Sequence, residues 1–224
     1  MKNSYVGFSA VTALAAMTMA CGSPEGQVID NFFRATQAKD TQTVSSFSIV
    51  QFDQVVKSWK VKSIGEEQRS PAPLAALAAA HTAADDAAAE NKKAEADYFN
   101  AHPLEVDTVK PLVESGAAIP PKLQGTAAEW KKFVDADKEL TMKAEQTQKA
   151  YDREKRIFTM STGKSGGDVD TVAGDLITKI AVVEVESEGG AKSYSVQIRK
   201  YDVTSGGKGA KLMSRWLIQS ITPQ

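Results

Sequence analysis

Hydrophobic and polar positions change their period along this chain, and the changes divide it into segments. Pro24 to Lys39 carries Val28, Ile29, Phe32, Phe33 and Ala35 or Thr36 at helical spacing, with Pro24 suited to a first turn and Lys39-Asp40-Thr41 ending the run. A short helical turn over Thr41 to Phe47 follows, with Val44 and Phe47 on one side. From Phe52 to Ile64 the period drops to two: Val55, Trp59 and Val61 share a face while the lysines at 57, 60 and 62 mostly point elsewhere, which predicts a strand. Ser70-Pro-Ala-Pro interrupts the chain, because a residue before proline is pushed out of the helical region.

Residues 71–160 predict a long antiparallel helical hairpin. One arm repeats Leu74, Leu77, His81, Ala84, Ala88 and Tyr98 or Phe99 at spacings of three and four; the other repeats Trp130, Phe133, Leu140, Ala144, Tyr151 and Phe158. Each arm is expected to run for about 28 residues, some 40 Å at about 1.5 Å per residue. The alanines permit close approach but bury little area, so a thin pair is expected, stable through intrinsic propensity and its aromatic contacts. Ala101 to Gly125 carries Pro103, Pro111, Gly116 and Pro120-Pro121, which excludes one continuous helix. A short turn capped by Asp107 or Thr108 and ending near Gly116 is expected within it. Leu104, Val106, Val109, Leu112, Val113 and Ile119 make this tip apolar, and two readings stay open: it folds back over the end of the hairpin, or it forms a patch for a partner.

After a Gly-, Ser- and Asp-rich return at 163–174, three strands are predicted at Leu176–Glu186, Lys192–Val203 and Lys211–Ile221. Glu188-Gly189-Gly190 signals a hairpin between the first two, and a longer loop around 205–209 joins the last two. Alternation such as Tyr194, Val196 and Ile198 against Ser195, Gln197 and Arg199 calls for an antiparallel meander covered on one face by the aromatic N-terminal helix. The predicted fold class is α+β: an N-terminal helix on a curved antiparallel sheet of about four strands, with the hairpin inserted between the first strand and the last three. The domain reading is a leader at 1–20, an α+β domain formed by 21–70 and 161–224, and the inserted hairpin at 71–160.

Residues 1–20 change the picture more than overall composition does. Lys2 gives a minimal positive start, Val6 to Ala16 an apolar run, and Ala20 a small residue before Cys21, the only cysteine of the chain. The run is too short to span a bilayer comfortably, which takes about 20 apolar residues, and Gly-Ser-Pro-Glu-Gly turns the chain polar at once. Met-Thr-Met-Ala-Cys-Gly-Ser resembles the lipid-attachment site of bacterial lipoprotein precursors. It departs from that pattern at Thr18, where leucine is usual, and Met19 is also a weaker match. The resemblance implies that Cys21 becomes the acylated first residue of the mature chain and ties it to the membrane; Gly22 rather than Asp after it implies the outer membrane. A cleaved leader followed by an incidental free cysteine is the other reading. Acylation accounts for an unpaired thiol in an oxidising compartment, where it has no internal partner. Several acyl chains, each buried methylene contributing about 0.8 kcal/mol, make a stable anchor.

Charge excludes one class. Residues 1–20 contain one lysine and no acid, so their removal moves the formal net charge from −1 to −2. No concentrated basic face for nucleic acid is present.

The Cys21-Gly-Ser-Pro-Glu start, the Val28-Ile-Asp-Asn-Phe-Phe-Arg-Ala helix and the closing Arg215-Trp216-Leu217-Ile218 strand are similar to bacterial lipoproteins of the nuclear-transport-factor-2-like superfamily. The resemblance covers roughly residues 24–65 and 170–222 and leaves the hairpin outside. It implies a helix-packed curved sheet around a cone-shaped cavity, a scaffold shared by enzymes and binding modules. Enzymes of that superfamily commonly pair a cavity histidine with an acid, but both histidines here, His81 and His102, fall in the insert.

Other candidate chemistry is sparse. His81 and Asp85 have the i, i+4 spacing of two metal ligands without a third. Gly163-Lys164-Ser165 resembles the end of a phosphate-binding loop but lacks the earlier glycine, Phe158 standing in its place. Asp152 to Arg156 reads as a solvated helix face, Arg199, Lys200, Lys208, Lys211 and Arg215 as scattered solubilising charge, and the three tryptophans as core anchors. No catalytic residue, cofactor or metal is expected. The expected role is that of a lipid-anchored, non-catalytic envelope protein presenting the hairpin to a protein partner. The alternative is a small-ligand carrier or enzyme using the cavity of the α+β domain. A sealed cavity with inward polar groups favours the alternative; Phe32, Phe33 and Trp216 packed into that space favour the first reading. Self-association of the hairpin is a third.

Overall fold

The computed structural model describes residues 22–163, 169–205 and 210–224. Among the described residues, five α-helices and a six-stranded sheet make an α+β protein. The chain divides into two compact units, one of residues 22–67, 178–199 and 216–224, the other of 68–177 and 200–215.

In the first unit, α1 (Pro24–Gln37) starts at Ser23, whose side chain accepts from the Gly26 N–H at 3.1 Å. Its buried face is Val28, Ile29, Phe32, Phe33 and Ala35. It ends in two backbone bonds, Lys39 N–H to the Thr36 carbonyl (3.0 Å) and Asp40 N–H to the Ala35 carbonyl (2.9 Å). This is the Schellman arrangement, and it places Lys39 at φ 56°, a position that glycine usually fills. A lysine there meets a Cβ clash that glycine avoids, so Lys39→Gly is expected to raise stability by about 1 kcal/mol in a denaturant titration. Asp40 then caps α2 (Thr41–Phe47), accepting from the Thr43 N–H at 3.0 Å and from its hydroxyl.

Strand β1 (Ser58–Ile64) pairs antiparallel with β3 (Ala173–Ser187), Ser58 opposite Glu186 and Ile64 opposite Ala181. The predicted strand from Phe52 is shorter at its start, because β3 turns back after Ser187 and leaves nothing for residues before 57 to pair with. Those residues pack instead: Phe52 meets Phe33 and Tyr194 edge to face at 5.6 and 5.1 Å, and the Tyr194 hydroxyl donates to Gln54. Strand β4 (Gly190–Ser205) follows the two-residue turn Glu188-Gly189, and Gly190 has φ 93°.

The third predicted strand is split. β5 (Ala210–Lys211) pairs with Ser205 and Thr204, and β6 (Leu217–Pro223) pairs antiparallel with β4 over Tyr194–Arg199. Between them Ser214 donates to the Tyr201 carbonyl and the Arg215 N–H to the Ser161 carbonyl at 2.9 Å, bonds that divert the chain from the ladder. In sheet order β1, β3, β4 and β5 are neighbours, with β2 also on β3 and β6 also on β4. Strand β2 (Gln68–Pro71) occupies the stretch expected only to break the chain; it is short, exposed and ends at a proline, as an edge strand tolerates.

The second unit contains the hairpin. α3 (Leu74–Ala101) has 28 residues, and α5 (Gln124–Thr162) has 39, longer than expected, since neither glycine nor proline interrupts residues 126–162. At about 1.5 Å per residue α5 is about 58 Å long. The arms are antiparallel, with His81 stacked on Tyr151 at 6.3 Å and Tyr98 against Phe133 at 5.5 Å. α4 (Pro103–Ser115) replaces the short turn expected from Asp107: it begins at Pro103, where the missing N–H costs nothing, and passes through Pro111. Burial of Val106 and Val109 offsets the backbone bond that Pro111 removes.

Near the start of β3, Asp202 takes Lys211 at 2.7 Å and Arg69 at 3.1 Å, and Arg69 also reaches Asp175 at 3.4 Å. Lys211, and then Arg69, holds the Asp202 carboxyl below its ordinary value of 3.8. The folded form is the more acidic one, so this contribution to stability is complete above the ordinary value and is lost as pH falls through the folded one. A carbon-detected NMR titration is expected to give Asp202 a midpoint below 3.8, moving upward in Lys211→Ala.

Candidate functional site

The first unit carries a half-open groove of about 280 Å³. Three segments build it: the last turn of α1 with Ala35 and Thr36 and the residues just after it, Lys39 and Asp40, the adjoining α2 with Val44, and residues 51–56. Ala35, Val44 and Val56 are buried and make an apolar floor, while Val55 is 53% exposed. Thr36 presents an Oγ1 that is buried without a hydrogen-bond partner. Residues 51–56 follow α2 as an irregular segment that bends at Gln54, and no hydrogen bond from the described residues reaches their main-chain N–H or C=O groups. Gln37 donates to the Lys57 carbonyl at 2.7 Å, which holds the end of α1 against the start of β1. Thr43 hydrogen bonding, chiefly through its hydroxyl, keeps the Asp40 carboxyl below its ordinary range at the rim.

The residues singled out in the sequence are scattered. Cys21 lies outside the described residues, as do Lys164, Ser165 and Lys208. Gly163 ends α5 in the left-handed conformation, an ordinary helix stop. His81 lies 3.4 Å from Asp85, and among the described residues no group of three metal-ligating side chains includes them. Phe32, Phe33 and Trp216 are all buried in the first unit. Lys179 adds to that packing, 2.6 Å from Glu25 and 5.5 Å above the Trp216 ring. Of the other cations, Arg199 is buried, Lys211 is paired with Asp202, and Arg215 donates to the Met160 carbonyl at 2.9 Å.

At the hairpin tip Val106, Val109, Ala127 and Trp130 make a buried cluster, flanked by Tyr98, Phe99, Val113, Ile119, Leu123 and Val134. The apolar tip therefore folds back on the hairpin end, leaving Leu104 80% exposed. In the middle of the pair, residues 85–101 and 131–150 include no buried residue, and Met142 stands 59% exposed. At the base Glu154 is buried and accepts from the Tyr201 hydroxyl at 2.5 Å, with Phe158 edge to face on Tyr201 at 5.0 Å. Sequence reasoning missed the groove, and it placed Glu154 on the solvated face expected over Asp152 to Arg156; Glu154 is buried instead, because it faces Tyr201, a partner distant in sequence.

Compared with family models, curated proteins and solved structures, the chain matches none. Among the described residues no helix is long and apolar enough to cross a membrane.

Proposed function

We propose that this is a lipid-anchored protein of the bacterial cell envelope, held at the outer membrane through acyl groups on Cys21 and facing the periplasm. In this reading it is a non-catalytic module, built on a nuclear-transport-factor-2-like scaffold, that offers the α3–α5 hairpin to a protein partner. The observation that carries it is the lone Cys21 after Ala20 and an apolar run, followed by the polar Gly22-Ser23 and the immediate start of α1. α1 packed on an antiparallel sheet agrees with the scaffold. The hairpin supports the interaction role: a long pair with an unburied middle and exposed Leu104 and Met142 leaves apolar surface on a mostly polar arm.

Intact mass and detergent partitioning of wild type against Cys21→Ser test the anchor. The wild type is expected to carry the added mass of acyl groups and to enter the detergent phase, whereas Cys21→Ser stays aqueous and unmodified. An unmodified, water-soluble wild type overturns the reading.

A further inference from the structure

We infer that the outer face of α4, at the tip of the hairpin, docks a basic amphipathic helix of a partner protein, which rests on the reading of the hairpin as a partner-binding arm. Residues Pro103–Ser115 fold as a helix with two unlike faces. Val106 and Val109 turn inward onto Ala127 and Trp130, with Val113 packed beside them. On the opposite side Leu104, Thr108, Pro111 and Ser115 form a stripe at spacings of three and four; all are exposed, Leu104 by 80%. The two hydroxyls in the stripe are turned back on their own helix. Thr108 Oγ1 donates to the Leu104 carbonyl at 2.8 Å, and Ser115 Oγ to the Pro111 carbonyl at 2.7 Å. What the stripe offers to a partner is therefore mostly carbon.

Charge selects the occupant. Glu105, Asp107 and Glu114 flank the stripe on its two sides against the single cation Lys110, and one lysine against three acids leaves −2 over residues 103–115. All four are exposed, and none has an ion-pair partner among the described residues. That balance repels an anionic bilayer surface. It also disfavours a second copy of the chain, because antiparallel pairing of the stripe on itself, Leu104 over Ser115, sets Glu105 against Glu114 at both ends. A helix with apolar anchors between lysines or arginines meets the carbon stripe and the carboxylates together. Pro111 adds an acceptor, since it brings no N–H to the Asp107 carbonyl four residues back. The platform is already ordered: Val106 and Val109 are fully buried beneath it, and the Ala117 N–H bonds the Leu112 carbonyl at 3.0 Å to close its end.

The test uses the full chain carrying Cys21→Ser, free of detergent, which would itself take up the probe. The probe is an acetylated, amidated peptide made of two Leu-Lys-Lys-Leu-Leu-Lys-Leu repeats, compared with the same peptide bearing glutamate for lysine, and binding is followed by amide NMR shifts and calorimetry. Shifts centred on residues 103–116 are expected, with the glutamate peptide at least about tenfold weaker and the lysine peptide weakening as salt rises. Leu104→Gln, at an exposed position, is expected to keep the melting temperature and bind about tenfold more weakly. Glu105→Gln with Glu114→Gln is expected to weaken binding and flatten its salt dependence, whereas Lys110→Gln is expected to tighten it. Absence of shifts at millimolar peptide, equal binding of the two peptides, or unweakened binding by Leu104→Gln each overturns the proposal. Shifts confined to α3 and α5 overturn it too, while leaving the hairpin its role as a partner-binding arm. None of these outcomes depends on whether Cys21 is acylated, which intact mass reads separately.

Discussion

Replacing Phe33 by alanine is expected to destabilise the protein by about 3–5 kcal/mol, read as a fall in the denaturation midpoint at an unchanged denaturant slope. Phe33 is completely buried and is the hub of an aromatic group. Phe32 meets it edge to face at 5.1 Å, Phe52 at 5.6 Å, and Trp59 stacks on it at 6.0 Å. Truncation removes the transfer energy of the ring and these pair contacts, and it leaves a space that its rigid neighbours fill only in part. Trp59 is held in place by its own Nε1–H bond to Asp30 at 2.9 Å, which limits the collapse. Set against a typical total of about 5–15 kcal/mol, the loss is a large fraction of what holds such a domain together. A shift below about 1 kcal/mol would mean that the cluster is loosely packed, contrary to the burial described.

Gly174 carries the second large effect, and it acts through the backbone. Its φ of 134° is open to glycine alone, and a Cβ there would lie 2.4 Å from the Asp202 carbonyl oxygen and 2.9 Å from the Val203 Cα. Neither neighbour is a flexible side-chain end, so the strand has to move. Gly174→Ala is expected to cost about 3 kcal/mol or more, summing the backbone strain and the overlap. The displacement bears on two further interactions, since the Gly174 carbonyl accepts from the Ala72 N–H at 2.9 Å and the Arg69 ion pairs to Asp175 and Asp202 lie beside it. Hydrogen exchange is therefore expected to accelerate at Ala72 and along residues 200–204 before it does at β6. Uniform acceleration across the chain would contradict a local clash.

The candidate groove was illegible beforehand for a physical reason. Val55, Trp59 and Val61 alternate with lysines, and that period alone reads as a strand from Phe52 onward. Whether alternation becomes a strand depends on a neighbour to pair with, and β3 ends at Ser187, opposite the start of β1. Residues 51–56 thus stay irregular, with main-chain groups that no described residue bonds, a property of their surroundings. Thr36 and Lys39 likewise look like ordinary helix-end residues; the buried hydroxyl and the left-handed backbone exist only after the chain folds. Pro111 misled for a related reason. Proline lowers the intrinsic stability of a helix, but the burial of Val106 and Val109 against Trp130 outweighs it.

Periodicity by itself determined α1, α2, the two hairpin arms and the β3–β4 hairpin, because each is dictated by local spacing, by alanine and leucine propensity, or by a two-residue glycine turn. It determined the α+β class as well. Tertiary structure alone decided where β1 begins, that the last strand splits around Ser214, that α4 passes through a proline, and which unpaired groups meet in the groove. Those outcomes are set by partners distant in sequence, and the free energy of pairing or burial belongs to both members of a contact rather than to either segment read alone.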